Sequence, residues 1–119
     1  MGTLRNKTLW DKWEIQAITY LQSLWHKIID VNIRIWAWEI DIISYESKNE
    51  LYHFIEVKTR SNNTYWEIEE SISYAKQKKF MNSVYTYLSR KDLNEDMAQI
   101  DVIFIKWNKL EYLEAVEFG

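Results

Sequence analysis

The chain has no cysteine and no proline, and its two glycines, Gly2 and Gly119, lie at the ends of the 119 residues. The lack of cysteine excludes a disulfide framework and a thiolate metal site. Glycine ordinarily makes up about 7% of a protein, and the interior here has none to take positive φ. There is no apolar run of membrane-spanning length and no charged-then-apolar leader, which makes a cytoplasmic protein the expectation. A Gly-rich phosphate loop is missing, and so is a Ser/His/Asp arrangement. Neither His26 nor His53 has a second histidine or a cysteine at metal-ligand spacing, and His53, at the start of the third strand, is read as a surface or half-buried residue. With a net charge of −3, the chain does not suit a binder that relies on an overall basic surface, but a local basic groove is compatible with it.

What is present describes one globular domain, residues 1–119. A hydrophobic share of 47% beside a charged share of 28% excludes a disordered tail, and the length supports one core. Thr8 is a candidate N-cap for a helix running to about Leu24, with Ile15, Ile18, Leu21 and Leu24 on its apolar face. A strand is expected over Lys27 to Ile35. Two more strands follow, then a helix from about Tyr65 to Leu88 whose apolar side carries Ile68, Ile72, Ala75, Phe80, Val84 and Leu88. Glu67, Glu69 and Glu70 suit that helix's N-terminus. After a polar loop, Ile100 to Lys106 and Leu110 to Val116 read as the final strands. The order αβββαββ gives an α/β fold, a central mixed sheet flanked by helices.

The chemistry concentrates on the second and third strands. Glu39-Ile40-Asp41-Ile42-Ile43 and Phe54-Ile55-Glu56-Val57-Lys58 each place charge on one face, and in the first segment Ile40 and Ile42 fall on the other. The polar stretch from Ser44 to Glu50 has the length of a hairpin loop, so the strands pair antiparallel and Asp41 lies near Glu56. Hard dications such as Mg²⁺ or Mn²⁺ bind through one or two carboxylates together with water and substrate phosphate. Asp41 and Glu56, with Val57 beside them, form the expected metal group, and Lys58 is placed to orient water or stabilise developing charge. By itself the D…ExK triplet is common, and the competing reading is a set of solvated cross-strand pairs.

A longer match adds context. Trp10-Asp11-Lys12-Trp13-Glu14, Asn32-Ile33-Arg34, Trp38 to Ile43, Phe54 to Arg60, Tyr65-Trp66, Lys76 and Ile100-Asp101-Val102 occur in the order and spacing of a known pattern. In these stretches the chain resembles the YraN-like family of small bacterial proteins, which look like PD-(D/E)xK nucleases. The resemblance implies a restriction-endonuclease-like domain that cleaves DNA with Mg²⁺ or Mn²⁺, with branched or structured DNA as one substrate class. It implies that Asp41, Glu56, Lys58 and Glu14 are catalytic, Glu14 reaching the metal from the first helix. Arg34, Arg60 and Lys76 are expected on the nucleic acid, and Lys58, Lys78 and Lys79 extend the groove. Glu39 is a further candidate, either for a second metal or as a partner of Arg34 or Arg60. Asp101 is read as structural. A homodimer is an expectation that two-strand cutting invites.

One departure is systematic. Where the resemblance asks for glycine this chain has tryptophan, at positions 10, 13, 25, 38 and 66, and Trp36 and Trp107 sit at turn-like places. Trp25 follows a helix, where a left-handed C′ residue is normally glycine. The pattern implies UGA codons of an organism that reads UGA as glycine, translated here as tryptophan. The competing reading is a genuinely Trp-rich surface or core. Two functional alternatives accompany the nuclease: a catalytically silent nucleic-acid-binding accessory protein with the same fold, and an interaction protein with exposed aromatics.

Overall fold

The computed structural model describes residues 12–36, 38–59, 74–106 and 109–117. Helix α1 (Lys12–Ser23) leads into strands β1 (His26–Ile35), β2 (Trp38–Glu46) and β3 (Leu51–Thr59). Helix α2 (Tyr74–Arg90) and a single 3₁₀ turn (Glu95–Met97) precede β4 (Ala98–Lys106) and β5 (Lys109–Leu113). Thr8, Arg60, Tyr65, Trp66, Ile68, Ile72 and the Trp107-Asn108 turn lie outside the described residues.

The five strands form one sheet in the order β1-β2-β3-β4-β5. β1, β2 and β3 form an antiparallel meander, β4 is parallel to β3, and β5 is antiparallel to β4. A parallel neighbour requires a crossover, and the segment containing α2 supplies it. The order αβββαββ and the mixed sheet agree with a restriction-endonuclease-like core.

Neighbouring residues of a strand point to opposite faces, and β3 separates two cores in this way. Phe54 packs with Ile35, Ile40, Ile43, Phe80, Val84, Tyr87 and Leu88 on the α2 side. Ile55 packs with Ala17, Leu21, Ile42, Ile103 and Ile105 on the α1 side. Each such side chain taken fully out of water contributes roughly 1.5–3 kcal/mol.

The apolar stripe of α1 differs from expectation. Its buried residues are Glu14, Ala17 and Leu21, whereas Ile15 and Leu24 are 52% and 40% exposed. The helix turns its acidic residue inward, because Glu14 belongs to a polar site beneath it. Ala75 on α2 is likewise exposed, while Phe80, Val84 and Leu88 are buried as expected. The alternation expected along β2 is interrupted at Asp41: Ile40 joins the α2-side core and Ile42 the α1-side core.

Chain reversals are made without glycine. Among the described residues, Trp25, Asn32, Trp36, Glu50, Asp92 and Ala115 carry positive φ. At the end of α2, Asp92 N–H donates to Ser89 O and Leu93 N–H to Leu88 O. This is a Schellman closure with aspartate in the left-handed position that glycine usually fills. Leu93 packs against the core containing Leu88, which adds the apolar contact that accompanies the motif.

Candidate functional site

Asp41 and Glu56 meet where β2 and β3 stop pairing. The ladder between these strands runs from Glu46↔Leu51 to Ile42↔Ile55. At the next step Asp41 Oδ2 accepts the Val57 amide at 2.8 Å, so a side chain replaces a backbone carbonyl. Val57 enters the site through this amide, and its side chain packs on the α1-side core.

Glu56 is buried, and its Oε1 pairs with Lys58 Nζ at 3.4 Å. Its Oε2 is buried without a hydrogen-bond partner, as is Trp38 Nε1. Burial raises the Glu56 pKa, opposed first by the charge and hydrogen bond of Lys58 and then by the nearby Trp38 indole N–H. Asp41 is pushed up to about 8, first by burial, then by the charge of Glu56, with Glu14 and Glu39 adding to it and the Val57 amide opposing. Glu14, on α1, is buried and accepts Asn32 Nδ2–H at 2.8 Å. Asn32 has φ 50, a left-handed conformation that asparagine tolerates well.

The structure therefore brings Asp41, Glu56 and Lys58 together, with Glu39 near enough to raise both carboxyls and Glu14 near enough to raise Asp41, although the oxygens of Glu14, Asp41 and Glu56 do not all come within 4.8 Å of one another. Glu39 stands opposite Arg34 in the β1–β2 register, and Arg34 is exposed. Lys76 is exposed in the first turn of α2. Arg60 lies outside the described residues. Crowded, desolvated carboxylates raise one another's pKa because like charges repel in a low dielectric. A dication removes that penalty. The donor set fits a hard one: all its ligands are oxygen, and one Glu56 oxygen lacks a donor.

A second constellation went unseen in the sequence. His53 is wholly buried, contrary to the reading of it as a surface or half-buried residue, and His26 is also buried. Their rings lie 4.4 Å apart between centroids, tilted by 45°. His53 Nδ1 contacts Asp101 Oδ2 at 2.6 Å and His53 Nε2 contacts Glu46 Oε1 at 2.9 Å. His26 Nδ1 contacts Ser44 Oγ at 2.8 Å. Asp101 also accepts from the Tyr112 hydroxyl, Gln99 Nε2 and the Ala115 amide. Burial lowers the pKa of both histidines. For His53 the hydrogen bonds and charges of Asp101 and Glu46 outweigh burial and raise it, whereas His26 stays lowered. Asp101 is lowered in spite of burial, through its bonds to His53 and Tyr112. Spacing along the chain could not reveal this cluster, since strand register alone makes neighbours of positions 26, 46 and 53.

Comparison with known proteins places the chain among bacterial relatives. The sequence model of the family described as "Uncharacterised protein family UPF0102" matches residues 13–105. A UPF0102 protein of Geobacter metallireducens is 33% identical over 106 residues, covering 89% of this chain and 85% of the relative. A UPF0102 protein of Helicobacter pylori is 36% identical over 107 residues, 90% and 89% of the two chains. One from Clostridioides difficile is 37% identical over 100 residues, 84% and 86%.

Proposed function

The chain belongs to the UPF0102 family, the YraN-like family its motifs resemble, and from that premise we propose that it hydrolyses DNA phosphodiester bonds with Mg²⁺ or Mn²⁺. The observation that carries this reading is the pair of neighbouring carboxyls, half-buried Asp41 and buried Glu56, both with raised pKa, beside Lys58 at 3.4 Å from Glu56.

Asp41 and Glu56 would hold the cation, with Glu14 and Glu39 as the further acidic residues nearby. A bound dication supplies positive charge at a phosphoryl oxygen and acidifies water. Asp41 has a second task, since its bond to the Val57 amide fixes Glu56 between a paired residue and a clamped one. Lys58 is half-buried and close to the carboxylates, which suits an ammonium that orients the attacking water or compensates charge on the pentacoordinate phosphorus. Arg34, Arg60 and Lys76 are assigned to backbone phosphates, where guanidinium and ammonium groups bind without reading sequence. DNA, in branched or otherwise structured form, is the proposed partner, and two copies acting on two strands would account for a double cut.

Incubating the protein with Mg²⁺ or Mn²⁺ and a panel of linear, flapped and four-way DNA tests the reading. Cutting by the wild type that disappears in Asp41→Ala and Lys58→Ala supports it. Equal cutting by both variants identifies a contaminant. Binding of the same DNA without cutting by folded wild type would favour the silent accessory protein.

A further inference from the structure

The buried His26 and His53 and the half-buried Glu46 lie about three residues along β3 from Glu56, ~10 Å by strand rise, and take no part in the proposed hydrolysis. One ligand atom from each falls within 4.8 Å of the other two. This is the one such three-residue group of metal-ligating side chains among the described residues. We propose that these three side chains form a binding site for a borderline first-row dication of the zinc class, with the fourth position open to a cavity.

The arrangement outside the three ligands supports this. A metal-binding imidazole generally uses its second nitrogen on a carboxylate, carbonyl or similar group, which fixes ring orientation and raises basicity. Both rings have that second contact. His53 Nδ1 is bound to Asp101, which is itself held by Tyr112, Gln99 and the Ala115 amide. His26 Nδ1 is bound to the buried Ser44 hydroxyl. His26 Nε2 is therefore left for a ligand, and His53 Nε2 faces its prospective co-ligand, Glu46 Oε1, at 2.9 Å. Glu46 is oriented in the same way, its Oε2 taking Asn49 Nδ2–H at 2.7 Å while Oε1 points to His53.

The chemistry selects the cation. Two imidazoles and a carboxylate suit zinc and its neighbours better than Mg²⁺, which prefers oxygen throughout. In tetrahedral geometry with bonds of ~2.0–2.1 Å, adjacent ligand atoms sit ~3.3 Å apart. The present 2.9 Å between His53 Nε2 and Glu46 Oε1 needs only a small outward shift of Glu46, whose side chain is 17% exposed at a strand end. In the metal-free protein the bond between those two atoms requires a proton, which the cation would displace. A cavity of about 590 Å³ opens at His26 and Glu46, lined also by Ser23, Trp25, Lys48 and Glu114. Three protein ligands with an open fourth position facing such a cavity leave room for water or a small anion.

Zn²⁺ titration by calorimetry, and Co²⁺ titration followed by visible absorption, test the site on chelator-treated full-length protein. With excess Mg²⁺ present to occupy the Asp41–Glu56 carboxylates, one Zn²⁺ per chain should bind, and Co²⁺ should give the intense visible bands of a four-coordinate ion. Affinity should fall at least ~100-fold in His26→Gln and Glu46→Gln and ~10–100-fold in Asp101→Asn. Far-UV circular dichroism identifies variants that have folded, and His26→Gln alone decides the matter if the more buried substitutions do not fold. The double variant Asp41→Asn/Glu56→Gln should retain this binding, so the result is independent of the nuclease reading. Unchanged affinity in folded His26→Gln, or loss of binding in the folded double variant, would overturn the proposal.

Discussion

Asp41 is a carboxyl whose native proton is held more tightly than its unfolded one. It therefore favours the folded state below its ordinary value near 3.8, and that advantage is lost as pH rises through about 8. In metal-free protein the melting temperature should decline across that window. Asp41→Asn keeps an oxygen for the Val57 amide and removes the charge, so at about pH 9 it should be more stable than wild type by ~1–3 kcal/mol. Thermal melts at several pH values measure this, and added Mg²⁺ should raise the wild type and leave the variant unmoved. The tryptophans permit a second test. Trp25 holds φ 68 with its side chain 88% exposed, so Trp25→Gly should gain about 1 kcal/mol by relieving a left-handed residue. Trp36, at φ 57, donates its indole N–H to Thr86 Oγ1 at 3.0 Å, and glycine there should gain less because that bond is lost. On the codon reading, the gene carries UGA at both positions; UGG would refute it.

At the scale of elements, α1 offers a direct contrast between two aliphatics of similar size. Leu21 is fully buried among Ala17, Ile42, Ile55 and Ile103, while Ile15 is 52% exposed. Leu21→Ala should cost ~2–5 kcal/mol and Ile15→Ala no more than ~0.5 kcal/mol, as read from denaturant midpoints. The sequence periodicity was compatible with either stripe, because both apolar sets recur at helical spacing. The decision came from Glu14, which a polar partner on β1 draws inward and no local pattern could reveal. Strands were more legible: β1 and β4 fall within two residues of their expected starts, since β-branched runs bounded by polar turns leave little choice. The D…ExK pair was also legible, as hairpin pairing alone brings the two carboxylates together. The break at Asp41 was not, because substituting a side chain for a ladder carbonyl leaves no mark on alternation. The left-handed ends of α1 and α2 were half visible: Trp25 by its place after a helix, Asp92 not at all.

Across the whole molecule, β3 is the element through which everything is coupled. It is paired antiparallel to β2 and parallel to β4, with a core on either face. Its central amides should exchange with solvent slowest, those of β5 at the sheet edge faster. Hydrogen exchange in Asp41→Ala should show the Val57 amide released selectively, which would establish that the carboxylate and not the ladder protects it. The histidine cluster belongs to this scale too, for its members come from β1, β2 and β3 and are held by residues of β4 and β5. Long-range register of that kind is a property of the assembled sheet, and the positions of His26 and His53 along the chain do not carry it. Trp25 ends α1, immediately precedes His26 and forms part of the wall of the adjoining cavity. A glycine at that one position would relax the backbone and unroof the chamber together. Reading a single codon differently thus decides both how easily the chain turns and how freely solutes reach the imidazoles, and the two traits cannot be inherited apart.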